Sequence, residues 1–197
     1  MASKTSIANR ALAKVGETRV SNIETDSNKK ALIINDMWDG VRDALLQSYP
    51  WNFAIKRTQL ALDGTSPPYE WANRFAVPVD FLQLLDIKNY PRYVVEGNFI
   101  KTDEGAPLYI RYVSCIESTG EWDAMFAEAF ASILAVEIVE SITQSNTKKN
   151  VLLQEANKVI KDAYASSAIA NPPQELRPDE WILSREASFD SNINYNT

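Results

Sequence analysis

The sequence predicts a mixed α+β fold: mainly an α-helical bundle of about four helices, with a small inserted antiparallel β-region and an extended C-terminal arm. Three observations predict it. Apolar residues recur at helical spacing at both ends of the first 167 residues, the period falls towards two between residues 51 and 112, and regular patterning stops near residue 168. The divisions that follow are 1–50 for the N-terminal helices, 51–117 for the inserted β-region, 118–167 for a C-terminal helical pair, and 168–197 for the arm.

The first helix is expected over residues 5–15, where Ile7, Ala8, Ala11, Leu12 and Val15 share a face and Gly16 follows as a natural left-handed terminator. Asp26 and Ser27 are the expected caps of a second helix with the stripe Ile34, Met37, Trp38, Val41 and Leu45. Pro50 ends it, because proline cannot continue a helix and turns its predecessor towards extended backbone.

Trp51-Asn52-Phe53-Ala54-Ile55-Lys56-Arg57 and Leu60-Ala61-Leu62 then read as extended, with a loop at Asp63-Gly64-Thr65-Ser66-Pro67-Pro68. Pro78 would interrupt a central strand, so a turn or short helix is expected over residues 75–80, before an extended run over 82–88. Residues 92–96 and 99–101 flank Gly97-Asn98, a two-residue hairpin connection whose members both tolerate positive φ. Residues 107–114 supply the last strand, with Leu108, Ile110 and Tyr112 on one face.

Ser118-Thr119-Gly120-Glu121 has the spacing of a capping box, so a helix is expected from Trp122 to residue 142. Its apolar residues, among them Met125, Phe126, Phe130, Ile133, Leu134, Ile138 and Val139, surround more than one face and call for cover from other elements or other subunits. Asn146 is the expected cap of a final helix with the stripe Leu152, Ala156, Val159, Ile160, Ala163 and Tyr164. Asn171-Pro172-Pro173 stops it. Beyond, Leu176, Trp181, Ile182, Leu183, Phe189 and Tyr195 are too many large apolar groups for a solvated linker. The arm either wraps its own domain or docks on a neighbouring chain as an extended peptide with Trp181 as the anchor, and these six are the candidate protein-interface residues.

Composition removes whole classes of chemistry. The chain has no histidine and one cysteine, Cys115, so the commonest general base, the commonest metal ligand and an internal disulfide are all unavailable. Cys115 sits in an apolar alternating stretch and reads as a buried structural thiol. No catalytic cluster, cofactor site or metal site is expected. The N-terminus resembles no signal peptide and no apolar run approaches the roughly 18 residues of a membrane span, so a soluble protein made inside the cell is expected. The net charge is −6; residues 1–60 hold nine Lys/Arg against six Asp/Glu, and the remainder eleven against twenty. Such a chain is not built to grip nucleic acid, which relies on clustered cations.

The landmarks Asn9-Arg10-Ala11-Leu12 with Val15-Gly16, Arg42-Asp43-Ala44-Leu45-Leu46 running into Tyr49-Pro50-Trp51-Asn52-Phe53-Ala54, Val77-Pro78-Val79-Asp80-Phe81, Val94-Val95-Glu96-Gly97-Asn98, and Pro107-Leu108-Tyr109-Ile110-Arg111-Tyr112 come in a distinctive order. In that order and separation, over roughly residues 5–165, the chain resembles the head-to-tail adaptor proteins of short-tailed bacteriophages, the group that includes tail tubular protein A. The resemblance implies a homo-oligomeric ring of about twelve copies between portal protein and tail nozzle protein at the head–tail junction of the virion, assembled in the host cytoplasm. Genomic DNA would pass through its lumen without specific binding, and no membrane would be involved. A conduit should repel what it conducts, so the lumen is expected to be net acidic, lined from residues 61–167. The arm matches no family pattern, and its docking role rests on composition.

Two other classes compete. An envelope-carbohydrate-degrading tail enzyme would need only paired carboxylates about 5–10 Å apart, and Glu96, Asp103 and Glu104 beside the hairpin are the nearest thing to a cluster. Turn and surface roles explain them more simply. A DNA-binding regulator would have to use the isolated pairs Lys29-Lys30, Lys56-Arg57 or Lys148-Lys149, which no recognition helix or stacking platform accompanies. Trp38, Trp51, Trp71 and Trp122 read as core or wall residues.

Overall fold

The computed structural model describes residues 3–143 and 146–170. Over these residues the fold is α+β, with four α-helices and two small antiparallel sheets. Helix α1 (Lys4–Val15) is capped by Ser3, whose hydroxyl accepts from the Ser6 amide at 3.1 Å, and closes at Gly16 with φ 79°. Ile7, Ala8, Ala11, Leu12 and Val15 are all buried on one face. Asn9 serves the connection that follows, giving and receiving a hydrogen bond with the Val20 backbone at 3.0 and 2.9 Å.

Helix α2 (Lys29–Ser48) is capped by Asn28, whose side chain accepts from the Ala31 amide at 2.9 Å, and not by Asp26 or Ser27. Asp26 instead closes the preceding turn, accepting from the Ser21 amide at 3.0 Å. Of the expected stripe, Ile34, Trp38 and Leu45 are buried and Val41 packs on the core, but Met37 remains 39% exposed. At the other end, the Trp51 indole donates to the Leu45 carbonyl at 2.9 Å, so the residue after the helix-ending proline caps the helix with its side chain.

A 3-10 turn (Asn52–Ala54) occupies part of what the sequence suggests is extended, and strand β1 (Ile55–Leu60) begins after it. Strand β2 (Asn73–Ala76) falls where a turn is expected. The turn lies just beyond, with the Phe81 amide donating to Pro78 O at 3.1 Å. Strands β3 (Phe81–Ile87), β4 (Tyr93–Glu96), β5 (Phe99–Thr102) and β6 (Leu108–Ser114) complete the set. The β4–β5 hairpin turns at Gly97 with φ 58°; Asn98 does not share the positive φ, so the glycine alone takes the left-handed position.

One sheet has the order β1-β6-β3 and the other β2-β5-β4. Two hydrophobic clusters follow. The larger joins the helices to Ala54, Val113 and Ile116; the smaller lies between the sheets, built from Leu60, Phe75, Ile87, Ile100, Leu108, Ile110 and Tyr112. Strand β6 serves both, sending Leu108, Ile110 and Tyr112 to one side and Val113 to the other. Strand β3 does likewise through two register shifts against β6, which replace strict alternation. Phe81, Leu84 and Ile87 pack on the inter-sheet cluster, and Leu82 and Leu85 on the helical one.

Ser118 to Glu121 forms a turn, with the Glu121 amide donating to Ser118 O at 3.1 Å, rather than the capping box of the next helix. Helix α3 (Ala124–Thr143) starts later, and the Asp123 carbonyl accepts its first bond from Ala127 at 2.9 Å. Of the two sources of cover expected for α3, other elements of the chain supply it. Helices α1, α2 and α4 (Asn146–Ile169) all pack on it, and Phe126, Phe130, Leu134, Ile138 and Val139 are fully buried within the chain. The expected cap Asn146 borders residues 144–145, outside the described part. The last helix continues through Ala168 and Ile169, so the arm boundary moves beyond residue 168.

Candidate functional site

Aromatic packing fixes the frame on which any site must sit. Trp38, Trp122 and Phe130 pack together, with Trp38 stacked on Trp122 at 6.0 Å, and Trp122 meets Phe126 edge to face at 4.9 Å, which joins them to Trp51 and Phe53 in one aromatic cluster. The Trp122 indole donates to Ile116 O at 2.9 Å. Three of the four tryptophans expected in core or wall positions are therefore buried; Trp71 is half-buried in a loop.

The titratable groups are largely committed to one another. Asp80 accepts from Lys56 at 2.7 Å and from the Tyr112 hydroxyl at 2.9 Å. Burial raises the Asp80 carboxyl, and these two bonds outweigh it, holding it below the usual carboxylate value. Burial and the Asp80 bond push Tyr112 up to about 12. Arg42, buried between Asp39 and Asp43 at 2.8 Å from each, neighbours Cys115, whose thiol donates to Asp43 at 3.4 Å. Cys115 is thus half-buried against a carboxylate and not enclosed in the apolar core. Burial is the main cause that lifts its thiol to about 11, which leaves it neutral and weakly nucleophilic at pH 7.

A cleft of about 630 Å³ lies among Asp43, Lys56, Asp80, Cys115, Glu117 and Glu121, where these pairs meet. Among the described residues no group of three or more Cys, Asp or Glu side chains is arranged to hold a metal. Glu96 is ion-paired with Lys101 and Asp103 accepts from the Ala72 amide at 3.0 Å, so these two carboxylates fasten the hairpin and its neighbours, and Glu104 takes part through its backbone carbonyl, which accepts from Asn73 at 2.9 Å. Of the basic pairs, Lys30 meets Glu17 at 2.5 Å, Lys56 meets Asp80, Lys149 meets Glu140 at 2.6 Å, and Lys148 donates to Val15 O at 2.6 Å, capping α1.

Besides a groove of about 520 Å³ on strands β1, β3 and β6 lined by Arg57, Lys88, Tyr109 and Arg111, two exposed surfaces rich in apolar or aromatic side chains stand out among the described residues. One is a groove of about 500 Å³ over α3 between α2 and α4, lined by Met37, Gly40, Val41, Ile133, Ile160 and Tyr164. The other is the loop pair at one end of the β-strands. There Tyr69 is 77% and Tyr90 84% exposed, Tyr93 stands beside them in sequence with Arg92, and the Arg92 guanidinium lies 4.7 Å over the Trp71 ring and 3.0 Å from Glu70. Glu70, Asn89 and Tyr90 take φ of 69°, 68° and 52°, an uncommon left-handed backbone that costs about 1–3 kcal/mol per residue and concentrates at functional loops.

The expected interface residues Leu176, Trp181, Ile182, Leu183, Phe189 and Tyr195 lie outside the described residues. Neither exposed surface is among the sites singled out from sequence. The signal for the loop pair is the aromatic density of Pro68-Tyr69-Glu70-Trp71 and Tyr90-Pro91-Arg92-Tyr93 between strands; for the groove it is a glycine inside a helical stripe. No protein-family model matches the chain, and no curated protein matches it. No described helix is long and apolar enough to cross a membrane.

Proposed function

We propose that the chain is a non-enzymatic structural protein of a virus particle: a head-to-tail adaptor that forms a ring of about twelve copies between portal and tail nozzle. The observation that carries this reading is the pair of exposed surfaces on different parts of the fold, the apolar groove on the helices and the aromatic loop pair on the strands. A coupling piece needs one face for each neighbour, and tyrosine-rich loops on a rigid frame suit protein recognition. The residues that carry the resemblance are compatible with it as frame elements: Asn9 ties the first connection, Trp51 caps α2, and Gly97 turns the β4–β5 hairpin.

In this reading the helices pack side by side as a bundle around the ring, and the loop pair reaches towards the adjoining layer. The arm, with Leu176, Trp181, Ile182, Leu183, Phe189 and Tyr195, binds a neighbouring polypeptide. Asp and Glu from residues 61–167 line the bore and repel phosphate over a Debye length of about 8–10 Å, so DNA slides without being held. Electron microscopy and mass photometry of the chain with and without its portal test the proposal. Rings seated on the portal are the expected result. Strictly monomeric particles in both samples overturn the adaptor reading, and a strongly basic bore overturns the account of the lumen.

A further inference from the structure

Gly40 occupies the middle of α2, where glycine weakens a helix relative to alanine. Nothing within the described chain requires it there: a Cβ built at Gly40 has no heavy atom within 4 Å. The same residue forms part of the groove between α2 and α4. The missing side chain leaves room there for close approach by something outside the described residues. Met37, the one member of the expected α2 stripe left exposed, lies beside it, and its unbranched thioether adapts to irregular apolar partners.

The chain leaves the described part next to this groove. The Tyr164 hydroxyl donates to Ser48 Oγ at 2.9 Å where α4 and α2 meet at the groove, and Ser167 O accepts from Asn52 at 2.8 Å one turn further on. About eleven residues separate Ala170 from Trp181, an extended reach of roughly 36 Å, against roughly 16 Å of α2 between Met37 and Ser48. Trp181-Ile182-Leu183 is the one run of three large apolar residues beyond Ala170. The acids at the groove, Asp36 and Glu137, are exposed; Glu137 lies in the field of Lys149, which pairs with Glu140, and Asp36 carries no ion pair among the described residues. Arg185, two residues past Leu183, carries the opposite charge, whereas Asp179 and Glu180 precede the run.

We infer that, in the unassembled chain, this groove is the docking site of the chain's own residues 181–183, with the Trp181 indole over Gly40 and Arg185 meeting the acidic rim. The groove then shelters the arm's apolar run until another polypeptide claims it. The inference concerns the isolated chain and does not depend on the ring, so the two experiments fail independently.

Limited chymotrypsin digestion of the full-length chain, followed by mass spectrometry, reports cleavage after Trp181. Tyr69, exposed in its loop and followed by Glu70, serves as the internal reference site. Gly40→Leu fills the groove from an open position of the helix; the expected result is at least a tenfold faster cleavage after Trp181, with reference cleavage and thermal midpoint not worsened. Met37→Glu, on the exposed edge, gives the same result by charge in place of bulk and covers the case in which Gly40→Leu folds poorly. Arg185→Glu gives a smaller acceleration in the same direction. Equal Trp181 cleavage in the wild type and both groove variants overturns the inference. So does wild-type protection that rises with protein concentration, which would assign the groove to another copy.

Discussion

Asp80 joins three stretches of chain that are far apart in sequence. Its carboxylate receives Lys56 and Tyr112, and its carbonyl accepts from the Cys115 amide at 2.7 Å. Because the folded carboxyl lies below its ordinary value of 3.8, the stability it contributes is present above about pH 4 and is lost as pH falls through the folded value. Asp80→Asn should therefore cost about 1 kcal/mol at pH 7, a figure already reduced for the partial exposure of both partners. In urea unfolding, the difference from wild type should shrink by pH 3. The sign reverses for Tyr112: with its hydroxyl held at about 12, its contribution is intact below pH 10 and disappears as pH rises through 12. An ultraviolet titration should show one tyrosinate forming later than the rest. The turn at Asp80 is legible in Val77-Pro78-Val79-Asp80; its partners are not, because they lie 24 residues before and 32 after, beyond any local pattern. Cys115 shows the same limit: its apolar neighbours suggest a buried thiol, whereas the nearby Asp43 comes from α2.

Helices were the most legible elements because a stripe of 3.6-residue period directly reports which face is buried. Lys4–Val15 buries every residue the pattern names, whereas in Asn146–Ile169 Leu152, Ala156 and Ala163 are buried and Val159, Ile160 and Tyr164 are half-buried. Strand β2 is missed because Pro78, two residues past its end, dominates the local reading. The start of α3 is misplaced because a Ser-x-x-Glu spacing suits a simple turn as well as a capping box. Two glycines separate conformation from space. Gly40→Ala should stabilise α2 by about 0.5–1 kcal/mol, since the added methyl meets open space. Gly16→Ala should destabilise by about 1 kcal/mol, because φ there is +79° and the Lys148 ammonium stands 3.2 Å from the new carbon. Thermal unfolding of the two variants should move their midpoints in opposite directions.

At the scale of the whole chain, the helical cluster and the inter-sheet cluster share strands β3 and β6 and should melt together. Phe130→Ala removes a fully buried ring from the first and Phe75→Ala one from the second. Each should cost about 3–5 kcal/mol. In both variants, tryptophan fluorescence, to which Trp38, Trp51 and Trp122 of the helical cluster and Trp71 of the β-region contribute, should coincide with far-ultraviolet dichroism in one transition. Two separated transitions would show the clusters to be independent. The α+β class is legible from the change of period along the chain, but the sharing of strands is not, since it depends on the register shifts in β3. The exposed groove is hidden for a similar reason: it exists only where three helices, distant in sequence, leave a gap around a missing side chain.

The division of β6 between two interiors also bears on how such a chain can vary over generations. A single residue inserted before Tyr112 would turn every later side chain to the opposite face, sending Tyr112 towards the helices and Val113 towards the second sheet. Loop 63–72 can lengthen or shorten without reaching either interior, whereas the seven residues of Leu108–Ser114 must keep their number while their chemistry drifts.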